Sequence, residues 1–182
     1  SFATRLPVDA AGAPLPWFTY PAIALLGPRL SPKMRVFEYG AGYSTLWWAA
    51  RVGAVRSVEN DADWVTTLRP QLPHNAVITL AAELGDAYTG AAAVVAQAEG
   101  ARFDVVVIDG RERNACVPAA LAALATDGVI VWDNSERERY DAGQQVLTDA
   151  GFRRIDLHGM GPINPYGWCT SVFYRDGNCL VL

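Results

Sequence analysis

Short apolar runs rich in β-branched residues alternate along the chain with segments whose apolar positions recur at helical spacing, the pattern of parallel strands joined by crossover helices. Residues 35–39, 55–58, 76–80, 103–108 and 128–132 read as strands, and 103–108 is nearly pure Val and Ile, as in a strand buried on both faces. Helices are predicted over 45–52, 62–69, 90–98, 115–124 and 141–150. Asp61 is placed to cap the second of these, Pro70 and Pro73 to end it, and Gly151 to stop the last. Residues 152–157 and 170–174 read as two further strands, separated by a Gly- and Pro-containing loop over 159–169 that holds Tyr166 and Trp168. The expected fold is therefore three-layer α/β with a seven-stranded, mostly parallel sheet. Residues 1–30 form an arm and a short lid helix over 22–26 entered through Pro21, and 31–182 form the single domain. Trp17, Thr19 and Tyr20 either pack on the sheet edge or face a ligand as part of a lid.

Composition narrows the function classes. At 182 residues and 51% hydrophobic, the chain is the size of one domain with a sizeable core. Fifteen basic against nineteen acidic residues, with no dense Lys/Arg cluster, argue against a nucleic-acid partner. No apolar run reaches spanning length, and the first residues lack the regions of a signal peptide, so the expectation is a cytoplasmic protein without a membrane partner. Cys116, Cys169 and Cys179 form no CxxC pair and read as packing thiols.

The first strand runs into Gly40-Ala41-Gly42-Tyr43-Ser44. Two glycines allow a tight turn that could bring amide N–H groups up to a ligand, and Ser44 is placed to cap the following helix. Glu59 ends the second strand about twenty residues beyond the first glycine, the distance at which a carboxylate reaches a ribose. The alternative is a tight loop without a ligand. Thr45 stands where a dinucleotide fingerprint has its third glycine, and Glu38 on the first strand would repel a phosphate but attract an ammonium group. Both observations favour S-adenosylmethionine over NAD, although an NAD-dependent oxidoreductase and a cofactor-binding protein without catalysis remain rival readings. Glu-Tyr-Gly-Ala-Gly-Tyr-Ser followed by Val-Glu-Asn resembles the first motifs of Rossmann-like S-adenosylmethionine-dependent methyltransferases. That resemblance implies a Rossmann-like fold with the last strand antiparallel between strands five and six. It also implies that Glu38, Gly40, Gly42, Ser44, Glu59 and Asn60 hold the cofactor. Asp86, Glu83 and Tyr88, after the third strand, are alternative partners for adenine.

Strands four and five deliver Asp109, Asp133 and Asn134 to the same sheet edge, an oxygen-only set suited to Mg²⁺. An Asp after the fourth strand with Asp-Asn after the fifth is similar to the metal site of catechol and caffeoyl-CoA O-methyltransferases, over roughly residues 37–134. The resemblance implies a bound Mg²⁺ that positions the hydroxyl of a small-molecule acceptor, polar or sugar-like. It is incomplete: Glu112 stands where that family has its catalytic lysine, and Gly110 and Arg111 where it has aromatic residues. Alternatively, Asp109 and Asp133 cap helices and pair with Arg111, Arg113 or Arg137. Arg111 and Arg137 are candidates for recognising a carboxylate or polyol, and Asp109, Glu112 and His158 for proton transfer. The open sheet edge leaves room for a homo-oligomer.

Overall fold

The computed structural model describes residues 6–182, so the first five residues of the arm lie outside the description. Among the described residues the strands are β1 (Arg35–Tyr39), β2 (Ala54–Glu59), β3 (Ala76–Leu80), β4 (Phe103–Ile108), β5 (Leu124–Asp133), β6 (Arg153–Gly159) and β7 (Trp168–Tyr174). They form one sheet in the order β3-β2-β1-β4-β5-β7-β6. The pairs among β1 to β5 are parallel, and β7 lies antiparallel between β5 and β6, as the resemblance implied. The helices are α1 (Tyr20–Leu26), α2 (Tyr43–Ala49), α3 (Ala62–Leu68), α4 (Asp86–Thr89), α5 (Ala91–Glu99), α6 (Arg113–Ala123) and α7 (Asp141–Asp149). None is long and apolar enough to cross a membrane.

The central strands are apolar on both faces because each face is covered. Val105 and Val107 of β4, with Val129 and Val131 of β5, pack against Leu26 of α1 and Trp47 and Trp48 of α2. Val106 and Ile108, with Ile130 and Trp132, pack on the other face against Val117 and Ala120 of α6, Ala92 of α5 and Leu147 of α7. Each such side chain fully removed from water contributes about 1.5–3 kcal/mol.

Several boundaries differ from the sequence reading; β5, for example, begins at Leu124 rather than at 128. α4 forms where a loop was expected, closed by the Tyr88 and Thr89 amides bonding back to the Gly85 carbonyl. Helix α2 begins at Tyr43, with Gly42 rather than Ser44 at its cap. β6 and β7 run past their expected ends, because antiparallel pairing continues through His158 with Cys169 and Gly159 with Trp168.

The chain runs outward from β1 to β2 and β3, then crosses back to β4 and β5, so the strand order reverses between β1 and β4. In such sheets the crevice beyond the carboxyl ends at that reversal is where a ligand fits. A glycine follows each strand there, Gly40 directly after β1 and Gly110 two residues after β4. Gly40 has φ +88°, and a Cβ on it would lie 2.9 Å from the Gly110 Cα. A Cβ on Gly110 would fall 1.8 Å from the Tyr88 hydroxyl. Gly42, by contrast, is extended, and its nearest neighbour would be the Ser44 Oγ at 3.7 Å. Gly40→Ala should therefore lose about 2 kcal/mol in urea denaturation. Gly42→Ala should stay within about 0.5 kcal/mol of the parent. Equal losses in the two variants would show that the β1–β4 contact is not the tight point of the turn.

Candidate active site

A cavity of about 1210 Å³ opens at this reversal. Residues 40–44, 59–61 and Trp64 line it on the β1–β2 side. Residues 109–115 with Asp133, Asn134, Arg137, Arg139 and Tyr140 line it on the β4–β5 side. Leu6, Pro7 and Trp17 from the N-terminal segment, and Ile163, Asn164, Tyr166 and Trp168 from beyond β6, form the rim.

On the first side, the turn is held from within. The Gly40 amide donates to the Val58 carbonyl, the Ala41 amide to Glu59 Oε2 and the Gly42 amide to Thr45 Oγ1, at 2.9, 3.0 and 3.0 Å. The expectation that the glycines aim these amides at a ligand is therefore corrected: the turn contributes open space at Gly42 instead. Glu59 lies on the cavity wall, and its Oε1 accepts the Asn60 and Asp61 amides at 2.7 and 2.9 Å. Carboxylate oxygens have further lone pairs, so Glu59 can still accept from a ligand's hydroxyls. Trp64, unremarked in the sequence, donates its indole N–H to the Ala41 carbonyl at 2.8 Å and fixes the turn against α3.

Glu38 is not on the wall. It is fully buried beneath the turn, where Oε2 accepts from Thr45 Oγ1 and from Ser57 Oγ at 3.1 Å, and Oε1 has no hydrogen-bond partner among the described residues. Burial pushes its carboxyl up to about 8, against the pull of the hydroxyls of Ser44, Thr45 and Ser57. Direct contact with a ligand's ammonium group is replaced by support of the turn, with Ser44 between Glu38 and the cavity as a wall residue.

On the second side the organising group is Arg113. Its Nε donates to the Gly110 carbonyl at 3.0 Å, Nη1 to the Asp133 carbonyl, and Nη2 to both the Asp109 carbonyl and Asp109 Oδ1 at 3.0 and 2.9 Å. The ring of Tyr140 covers it at 5.0 Å. One guanidinium thus ties the ends of β4 and β5 together, and of the three arginines open as partners for Asp109 it is Arg113 that pairs. Burial pushes the Asp109 carboxyl up to about 6, with Arg113 limiting the rise, and burial holds Asp133 well above the usual carboxylate range. Asp133 Oδ1 accepts from the Trp168 indole at 2.9 Å and from Thr170 Oγ1. Asp109 Oδ2 makes no hydrogen bond among the described residues, and the side chain retains 20% exposure at the cavity.

These contacts do not fit the expected Mg²⁺. The cation between the two strand ends is a guanidinium, and Asp133 Oδ1 is taken by neutral donors. Asn134, third of the expected ligands, lines the cavity with φ 49°.

Other candidates are dispersed. Glu112 lines the cavity, but its Oε2 accepts the Gly85 amide at 2.9 Å. His158 is exposed within β6, outside the cavity wall, because the strand continues past it; it is not placed to serve as the base. Asp86 is exposed in the first turn of α4 and is likewise absent from the wall. Of the lid residues, Trp17 reaches the rim, whereas Thr19 is buried and caps α1.

No family model and no curated protein matches the chain. Solved structures do. Precorrin 8w decarboxylase from Methanobacterium thermoautotrophicum is 17% identical with a TM-score of 0.60, over 93% of this chain and 95% of that one. Precorrin-6y C5,15-methyltransferase from Geobacter metallireducens is 15% identical with a TM-score of 0.58, over 85% and 87%. A candidate methyltransferase from Streptococcus mutans, in complex with SAH, is 11% identical with a TM-score of 0.56, over 85% and 96%. At these identities the likeness defines the fold: the chain has the Rossmann-like methyltransferase fold.

The buried carboxyl of Glu38 gives a pH test. Its folded pKa stands above its ordinary value, so the folded protein keeps a proton that the unfolded chain releases, and stability falls as pH rises between about 5 and about 8. Glu38→Gln should reduce that slope by about 1 kcal/mol per pH unit. Urea midpoints across this range check it; identical slopes would show that Glu38 is ionised in the folded protein.

Proposed function

We propose that the protein is an S-adenosylmethionine-dependent methyltransferase that methylates an oxygen of a small polar, sugar-like acceptor without using a metal. The observation that carries this reading is the pairing, across one cavity, of a glycine-opened wall bearing Glu59 with a buried carboxylate, Asp109, that keeps one oxygen free. When bound, the cofactor supplies a methyl group on a positively charged sulfonium.

On this reading Glu59 accepts hydrogen bonds from the ribose hydroxyls, and the missing side chain at Gly42 leaves room for the cofactor beside Tyr43 and Ser44. Asp109 accepts the proton that an acceptor hydroxyl must give up. Its raised pKa makes it a better base than an exposed aspartate, while Arg113 keeps it oriented. Asp133 holds Trp168 and Thr170 in place, and Asn134, Asn164 and Tyr166 offer polar contacts to the acceptor. Holding the two reactants together in one cavity supplies much of the rate advantage in a transfer of this kind.

Calorimetric titration of S-adenosylhomocysteine, with NAD as control, tests the cofactor. S-Adenosylhomocysteine should bind and NAD should not. Glu59→Ala should weaken binding by about 1.5–3 kcal/mol, the range for hydrogen bonds to a charged group. Gly42→Ala, stable by the criterion above, should weaken it at least tenfold, about 1.4 kcal/mol. Binding of NAD alone, or of neither compound, would overturn the reading.

A further inference from the structure

The β4–β5 half of the cavity carries positive charge that the described carboxylates meet only in part. The chain is acidic, with a formal charge of −4, yet Arg111, Arg137 and Arg139 all line this half. The Arg111 side chain is exposed, with no hydrogen bond or ion pair among the described residues; its backbone alone is engaged, the amide donating to the Tyr88 hydroxyl at 3.1 Å and the carbonyl accepting from Cys116 Sγ at 3.6 Å. The Arg139 guanidinium lies 4.8 Å above the Tyr140 ring and meets no carboxylate among the described residues. Arg137 approaches Glu136 at 3.7 Å, the other oxygen of Glu136 holding the Cys169 amide at 3.0 Å, and its charge also acts on Asp109 without a direct contact.

The acids on the same side each have one oxygen engaged by a partner other than these three arginines. Asp109 pairs with Arg113, Asp133 Oδ1 binds Trp168 and Thr170, and Glu112 binds the Gly85 amide. Arg113, the fourth arginine, turns its donors inward. Three arginines are left lining one space, each guanidinium a planar fork matched to an oxyanion.

We propose that the acceptor is itself an anion, a hydroxylated molecule whose carboxylate or phosphoryl group is held by Arg111, Arg137 and Arg139. The role of Asp109 toward the acceptor's hydroxyl rests on the methyltransferase reading; the arginine site does not. A carboxylate and a phosphoryl group share the chemistry that these side chains recognise, and the probes separate them.

The test is calorimetric titration with glucuronate, glucose 6-phosphate and neutral glucose, run beside S-adenosylhomocysteine, on the parent chain and on the Arg111→Gln/Arg137→Gln/Arg139→Gln variant. At least one anion should bind in the millimolar range or tighter, at least tenfold tighter than glucose and more weakly as salt is added. The variant should lose at least tenfold of that affinity while retaining its melting temperature and its affinity for S-adenosylhomocysteine. Binding of glucuronate alone assigns a carboxylate site, and binding of glucose 6-phosphate alone a phosphoryl site. No binding by either anion, no preference over glucose, or an unchanged affinity in the variant would overturn the proposal. If the anions bind as described and S-adenosylhomocysteine does not, the arginine site stands and the methyltransferase reading fails.

Discussion

The close approach of two backbones, at Gly40 and Gly110, is the constraint on which the site depends. β1 and β4 are neighbours in the sheet but far apart in sequence, and their ends come so near that neither residue has space for a Cβ. With no side chain at either point, the Asp109 amide can bond to the Tyr39 carbonyl at 3.1 Å and the Tyr88 hydroxyl can reach the Arg111 amide. The crevice at the reversal of strand order is built outward from this contact. Glu59 and Thr45 shape one side by taking the turn's amides, and the run 109–113 shapes the other.

The second determinant is electrostatic. Asp109 and Asp133 sit side by side at the ends of adjacent parallel strands, and burial penalises the charge on both. Arg113 offsets the penalty at Asp109 through one ion pair and ties the strand ends together through three carbonyl contacts. Removing one partner of a buried pair of this kind typically costs about 3–5 kcal/mol. This arrangement satisfies the role that a divalent cation would have in orienting the two strand ends. It also leaves Asp109 with a free oxygen at the cavity, the property the proposed proton transfer requires.

Much of this was legible in the sequence, because buried parallel strands announce themselves locally. The Val and Ile runs, the glycine after β1 and the carboxylate ending β2 each carry their meaning within a few residues. The partners of side chains at the sheet edge do not. The run Asp-Gly-Arg-Glu-Arg offers several pairings, and the three-dimensional path of α6 decides for Arg113 over Arg111. His158 looked like the end residue of a strand, but antiparallel pairing with Cys169 carries β6 beyond it and leaves the imidazole outside. Asp86 looked like part of a ligand-facing loop, but the short helix α4 turns it to solvent. The direction of the turn's amides was equally hidden, since it depends on Glu59 and Thr45 folding back onto them.

The most direct measurement is a crystal structure of the protein grown with S-adenosylhomocysteine. The ribose hydroxyls should lie against Glu59, the chain should pass beside Gly42, and the sulfur should face the Asp109 side of the cavity. Density for the ligand elsewhere on the molecule, or a cavity in which Glu59 and Asp109 both lie remote from it, would contradict the assignment of this crevice as a methyl-transfer site.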